Sequence, residues 1–346
     1  MRRDTPPPLR SEAALPTLPF DRIDTLLRHE AEKHGLTLRS GHGRATWCEV
    51  DGGEIGARRG PLGSILCVSA HDRDWLFTLQ EVMTAHLLEA VPDLTGLLRW
   101  SDPPRQGALP PNFSLARVES LTPIGQNFLR LRLRGDNLDR FARDMIHFRL
   151  ILPPPGDSEP QWPMTGANGQ TVWPQGDRAL HRPAYTVRAI NPAAGWMDTD
   201  IFLHDGGRTR GWLRATAPGA RIGLTGPGGG GVPVAGHLLI GGDETAFPAL
   251  ARIIAAQAPE TLGECWLFGD TDDYPLPLHP GIRIIRAPQG EAGLARRLSR
   301  KGTSAGRIWL ASEKSRIAPL RRVILEQLGI SGRVAHLAAY WTASEA

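Results

Sequence analysis

Cysteine is scarce and poorly placed for metal chemistry. Cys48, Cys67 and Cys265 are far apart and form no CxxC pair. Alone they can build neither an iron–sulfur cluster nor a four-ligand zinc site. The odd count argues against a disulfide framework, so a reducing compartment fits and a cytoplasmic location is expected. Long apolar runs are also missing: none reaches the roughly 18 residues that a membrane helix needs. The opening MRRDTPPPLR is polar and proline-rich, without the apolar segment of a secretory signal. No Lys/Arg block occurs. The net charge of +4 comes from scattered arginines, which favours anionic ligands mildly and gives a nucleic-acid partner little support.

What is present suits a soluble protein of several domains. The chain has 346 residues, 41% of them hydrophobic and 22% charged, enough to bury more than one core. Residues 1–19 read as a loose leader. The block 20–103 mixes an amphipathic helix (21–34), strands around 37–50 and 64–70, and a second helix (75–90). It reads as a small α+β domain, closed by the proline-rich SDPPRQGALPPN. From 112 to 234 the texture is all-β. Leu129, Leu131 and Leu133 alternate with Arg130, Arg132 and Arg134, and further short strands follow in MIHFRLILPPP, PAYTVRAI, MDTDIFLH and ARIGLTG. A small antiparallel barrel is the expected form. Residues 235–346 switch to strands alternating with helices, which implies a parallel, doubly wound sheet. GPGGGG lies between these two regions. It lacks the Lys-Ser/Thr of a phosphate-binding loop and no helix follows, so it reads as a flexible connector.

Three stretches carry chemistry. HRPAYTVRAI (181–190) sets an aromatic ring, a hydroxyl and two arginines on one strand. Tyr185, Thr186 and an arginine would supply the wall, donor and cation that a flavin needs. The turn Gly207–Trp212 puts a helix N-terminus, with Thr209 near its cap, where a diphosphate could bind. In LLIGGDETAFPAL a buried strand runs into Gly241-Gly242 and then a helix capped by Asp243 or Thr245. Open α/β sheets bind ligands at such strand ends, which makes this the nicotinamide candidate, with Glu313 at the end of a later strand. Arg130, Arg132 and Arg134 read as the outward face of a barrel strand in preference to a ligand-binding patch. His147 and His204 read as packing or hydrogen-bonding residues, with His204 lining the flavin pocket, and no metal site is expected. Trp341 either stacks on the flavin or fills the core.

Several of these motifs resemble the siderophore-interacting protein family of the ferredoxin-reductase-like superfamily. PAYTVR is similar to its Arg-x-Tyr-(Ser/Thr) flavin signature with the Thr-Val-Arg continuation. IHFRLILPPP, FLHDGGRTRGWLRATAPGARIGLTGPGG, GGDETAFPAL, WLASEKS and AYW match further family stretches in order. The position that carries the signature arginine is Pro183 here, and Arg182 lies one residue further back. The resemblance covers roughly 113–341; the first hundred residues resemble a small domain of unknown function. It implies an FAD-dependent ferric-siderophore reductase supplied by NADPH or NADH, with a ferredoxin-type donor as a further candidate. Tyr185 and Thr186 become the catalytic pair. Arg182, Val187, Arg188, His204, Gly207, Thr209, Trp212, Gly242, Asp243, Glu244, Thr245, Ala246, Glu313 and Trp341 complete the cofactor-binding set. A monomer is expected, with neither nucleic acid nor membrane insertion. Two rivals stay open: a general NAD(P)H:flavin or quinone oxidoreductase, and a siderophore- or flavin-binding protein without turnover.

Overall fold

A computed structural model describes residues 7–343 except 34–35, 42, 95, 144, 158, 205–206, 270–273 and 288. The chain divides into two compact units, 1–113 with 161–176, and 114–160 with 177–346.

In the first unit, β1 (Leu9–Leu15), β2 (Leu38–Gly41), β3 (Ala45–Val50), β4 (Gly53–Arg59) and β5 (Ser64–Ala70) form an antiparallel sheet in the order β1-β5-β4-β3-β2. Helices α1 (Phe20–Lys33) and α2 (Arg73–Ala90) share its core. Ala13, Leu15, Leu66, Val68, Leu76, Leu79 and Met83 meet there. The expected leader is therefore corrected over Leu9–Leu15. Its Ser11, Ala13 and Leu15 alternate inward with a period of two, and the strand pairs along the whole of β5. Residues 1–6 of the leader lie outside the described residues.

The second unit begins with β6 (Phe113–Ile124), β7 (Phe128–Gly135) and β8 (Met145–Ile151). A hairpin of β9 (Met164–Thr165) and β10 (Thr171–Val172) then departs to group with the first unit. The chain returns as β11 (Ala184–Thr186), β12 (Ala189–Asn191), β13 (Trp196–Phe202), α3 (Arg208–Ala215) and β14 (Arg221–Gly231). The sheet order is β11-β8-β14-β6-β7-β13-β12. Its two outermost members, β11 and β12, are consecutive pieces of one segment, so the sheet closes on itself as a barrel. Inside lie Leu131, Leu133, Phe148, Leu150, Met197, Ile222 and Leu224, with Trp212 and Leu213 of α3 plugging the core.

GPGGGG is not a loose connector. β14 runs through it, pairing Gly228 with His147 and Gly231 with Met145 across two irregularities. Gly229 makes this possible: its φ is +80°, and a Cβ there would lie 2.6 Å from His147 Nδ1.

The C-terminal part is a parallel sheet of β15 (His237–Gly242), β16 (Leu262–Leu267), β17 (Ile282–Arg286), β18 (Arg307–Glu313) and β19 (Ala335–Trp341), ordered β17-β16-β15-β18-β19. Helices α4 (Phe247–Ala255), α5 (Gly290–Lys301) and α6 (Lys314–Arg321) cover it. Barrel and sheet share a core in which Phe128 packs 4.5 Å from Tyr274 and 6.2 Å from Phe247. The barrel's outward arginines take part in this joint. Arg130 and Arg132 make bidentate bonds to Asp200 and Asp198, their cross-strand partners on β13, and Arg134 bonds Glu119. Tyr274 donates to the same Asp200 at 2.6 Å. The carboxylate of Asp200 is fully buried, so Arg130 and Tyr274 share the compensation of one charge.

Candidate functional site

The segment HRPAYTVRAI forms the seam of the barrel. Ala184, Tyr185 and Thr186 pair with Arg149, Phe148 and His147 of β8, while Ala189–Asn191 pair with β13. Between them the amide of Val187 donates to Ile146 and that of Arg188 to Asp198, both at 2.8 Å. Because successive side chains on a strand alternate, the two expected catalytic residues face opposite sides.

Tyr185 turns toward α3. Its hydroxyl bonds Thr209, and burial, only partly offset by that bond, pushes its pKa up. Thr209 lies in the first turn of α3, just after Gly207, whose φ of +77° sets the helix entry. His181 Nε2 shares a hydrogen bond of 3.1 Å with the Thr209 hydroxyl. Burial, helped by the nearby Arg208, holds the imidazole down at about 4, so it is neutral at pH 7. Arginines crowd this segment. Arg149 donates to the main-chain oxygen of Arg182 at 2.9 Å. Burial lowers the Arg182 pKa, and the charge of Arg149 lowers it further. Arg210 holds the main-chain oxygen of His204 at 2.8 Å.

Thr186 faces the other way. It is 4% exposed. Its cross-strand neighbour His147 bonds the hydroxyl of Tyr340, near the end of β19, across the joint between barrel and parallel sheet. Burial brings His147 down to about 4. The Tyr340 hydroxyl is raised by burial and by the charge of Asp243.

At the C-terminal edge of the parallel sheet, Asp243 is a hub. It accepts from the Thr245 amide and hydroxyl, the Ser312 hydroxyl, the Glu313 amide and Trp341 Nε1. Glu313 caps α6 by accepting from Ser315, Arg316 and Ala343; the Ser315 hydroxyl and these amides take its pKa to about 2.

Several expected cofactor residues have internal contacts. Asp243, Ala246 and Glu313 are buried and spend their groups internally, while Gly242 is required by packing, its Cβ direction being filled by Ala246 and the Ala311 oxygen. Val187 and Trp212 belong to the barrel core. Arg188 turns toward the buried Asp200, its Nε 3.9 Å from the carboxylate. The residues with both polar groups and access are Tyr185, Thr209, Arg182, His204, Gly207, Glu244 and Trp341; the Trp341 indole is 36% exposed and hangs on Asp243. Sequence reading missed His181, Arg149 and Tyr340. The first opens the quoted segment, and the second lies across the strand pair from Ala184, in the FRL of β8. Among the described residues no group of His, Cys, Asp and Glu side chains could hold a metal ion, and no helix is long and apolar enough to cross a membrane. A broad open groove of about 970 Å³, lined by Arg117, Arg134, Asp136 and Arg221 among others, contains none of these residues.

The site thus lies in an antiparallel barrel joined to a parallel α/β sheet, with an aromatic-hydroxyl strand at the barrel seam. Residues 116–231 match the siderophore-interacting FAD-binding domain and residues 235–344 match the siderophore-interacting protein domain. The chain belongs to the siderophore-interacting protein family. The NADPH-dependent ferric-chelate reductase of Escherichia coli is 33% identical over 143 residues, 40% of this chain and 54% of that protein. The mycobactin import ATP-binding/permease protein IrtA of Mycobacterium tuberculosis is 30% identical over 184 residues, 50% of this chain and 21% of that protein. The chain thus spans about half, or less, of the length of these curated relatives. Among solved structures, a siderophore utilization protein from T. fusca superposes with a TM-score of 0.56 at 25% identity, covering 67% of this chain and 93% of that one. The siderophore-interacting protein SipS from Aeromonas hydrophila shares the fold, with a TM-score of 0.56 at 21% identity over 68% of this chain and 93% of that one.

The residues present fit FAD. A half-buried tyrosine ring provides a wall, the Thr186 hydroxyl a donor, and Arg149, Arg182 and Arg208 the positive charge a diphosphate requires. The space in the Cβ direction of Gly211 and of Gly228 is open.

Proposed function

We propose that this protein is an FAD-dependent ferric-siderophore reductase driven by NAD(P)H. The carrying observation is the seam, which turns the tyrosine wall to one side and Thr186 to the other. Bound FAD would accept hydride from NAD(P)H and pass electrons on singly, which a nicotinamide cannot do. The chain's own contribution is placement. Tyr185, tethered through Thr209 to His181, holds a flat ring against the barrel. Thr186 aims a hydroxyl toward the joint with the parallel sheet, where Tyr340 and Trp341 stand at the end of β19. Arg149, Arg182 and Arg208 neutralise phosphate charge and favour the approach of an anionic chelate.

Overall, one NAD(P)H and two chelated ferric ions yield NAD(P)⁺, a proton and two ferrous ions. The hard oxygen ligands of a siderophore hold the ferrous ion less tightly, so iron leaves. No protein ligand to iron is needed. The same reading takes the protein as a cytoplasmic monomer, with a ferredoxin-type protein as the alternative electron donor. The test compares NADPH and NADH oxidation with a ferric siderophore and with a quinone at equal concentrations. Preferential ferric turnover supports the proposal; equal or greater quinone turnover makes the protein a general flavin oxidoreductase.

A further inference from the structure

The connection between β8 and β11 is long, covering residues 153–180, and it leads straight into the flavin segment. Its ends are pinned together: Leu152 and His181 exchange main-chain hydrogen bonds of 2.8 and 2.9 Å. A free connection of this length would cost closure entropy and leave its exit loosely held. It is not free, because its middle, Gln161–Gly176, belongs to the N-terminal unit.

The grip is specific. Thr165 accepts from the Gly107 amide and donates to the Ala108 oxygen, both at 2.8 Å. The carboxylate of Glu81 on α2 accepts the Thr171 amide at 3.1 Å, and burial raises its pKa. The Trp162 ring packs 5.7 Å from Phe113, and Arg99 reaches the Ala167 oxygen. From there only residues 177–180 precede His181, and Arg178 is pinned to Asp157 at 3.3 Å. His181 holds Thr209, and Thr209 holds Tyr185.

We propose that the N-terminal unit is a positioning domain for the flavin segment, acting by anchoring the β9–β10 hairpin that feeds it. This rests on the flavin reading above. The anchoring leaves only residues 177–180 between the held hairpin and His181, so the Thr209–Tyr185 pair is ordered before the ligand arrives and less entropy is lost on binding.

The test uses the full chain, freed of flavin and titrated with FAD by fluorescence, with hydrogen exchange followed over 161–180. Trp162→Ala and Glu81→Ala should weaken FAD binding roughly tenfold, equivalent to about 1.4 kcal/mol, and expose the hairpin to exchange. Trp162→Phe and Glu81→Gln, which keep the ring and the acceptor, should restore affinity. Arg39→Ala, a change at an exposed ion pair of the same unit, should leave it unchanged. If Trp162→Ala does not fold, Glu81→Ala with its Gln rescue carries the comparison. Faster hairpin exchange with unaltered FAD affinity overturns the proposal, as does a hairpin that stays protected in both alanine variants. A wild-type chain that binds no FAD defeats the flavin reading instead.

Discussion

Val187 and Arg188 are adjacent, yet their amides bond to opposite edges of one sheet, Val187 to Ile146 and Arg188 to Asp198. That divergence closes the barrel. Pro183, at the position where the resemblance implies an arginine, sits just before the short strand β11. Proline has no amide to donate, and here its carbonyl accepts from Leu150 at 3.0 Å while the next residues take up the ladder. Arg182 and Arg149 then bring positive charge to the segment.

Thr209 joins His181 to Tyr185, so Thr209→Val should weaken FAD binding about five- to tenfold, the loss of roughly 1 kcal/mol expected for one hydrogen-bonded link. Thr209→Ser should keep wild-type affinity. Flavin fluorescence titration reads both.

Asp200→Ala should be severe. It strips compensation from Arg130 and from the Tyr274 hydroxyl at the joint between barrel and parallel sheet. A loss of about 3–5 kcal/mol is expected in urea unfolding. Asp200→Asn, which keeps an acceptor, should lose less.

Acid should destabilise the fold through His147. Its folded-state pKa of about 4 lies below the ordinary 6.5, so the unfolded chain takes up a proton first as pH falls. The stabilisation is complete above pH 6.5 and is lost between there and pH 4. At pH 5 the loss amounts to about 2 kcal/mol. His147→Gln should flatten that part of the urea-midpoint profile between pH 7 and pH 5.

Two neighbouring glycines should behave differently. Gly229→Ala meets a φ of +80° and the ring of His147, and should cost about 1–3 kcal/mol. Nothing lies within 4 Å of the Cβ direction of Gly228, and Gly228→Ala should shift stability by less than about 0.5 kcal/mol. Thermal melts of the two variants provide the comparison.

Much of this was legible in the chain itself. Alternating Leu129–Arg134 announced a barrel strand, and LLIGGDETAFPAL announced a strand, a turn and a capped helix. Local periodicity and capping chemistry carry such signals. What stayed hidden depends on register between distant segments. The β1 pairing with β5, the Arg130–Asp200 and Arg132–Asp198 pairs, and the departure of residues 161–176 to the N-terminal unit leave no local mark. The same holds within the site. Tyr185 and Thr209 could be picked out singly, but their bond, and the place of His181 behind it, come from the fold. Asp243, picked out by its capping position, accepts five internal bonds, and those from Ser312, Glu313 and Trp341 come from distant segments and the sequence does not show them.

The most direct measurement is the visible spectrum of the FAD-loaded protein under anaerobic conditions, first with NADPH or NADH and then with a ferric siderophore. Flavin absorbance should bleach with one of the nucleotides and return when the ferric siderophore is added, as ferrous iron appears. A protein that takes up no FAD, or whose bleached absorbance does not return with ferric siderophore, would contradict the ferric-siderophore reductase reading.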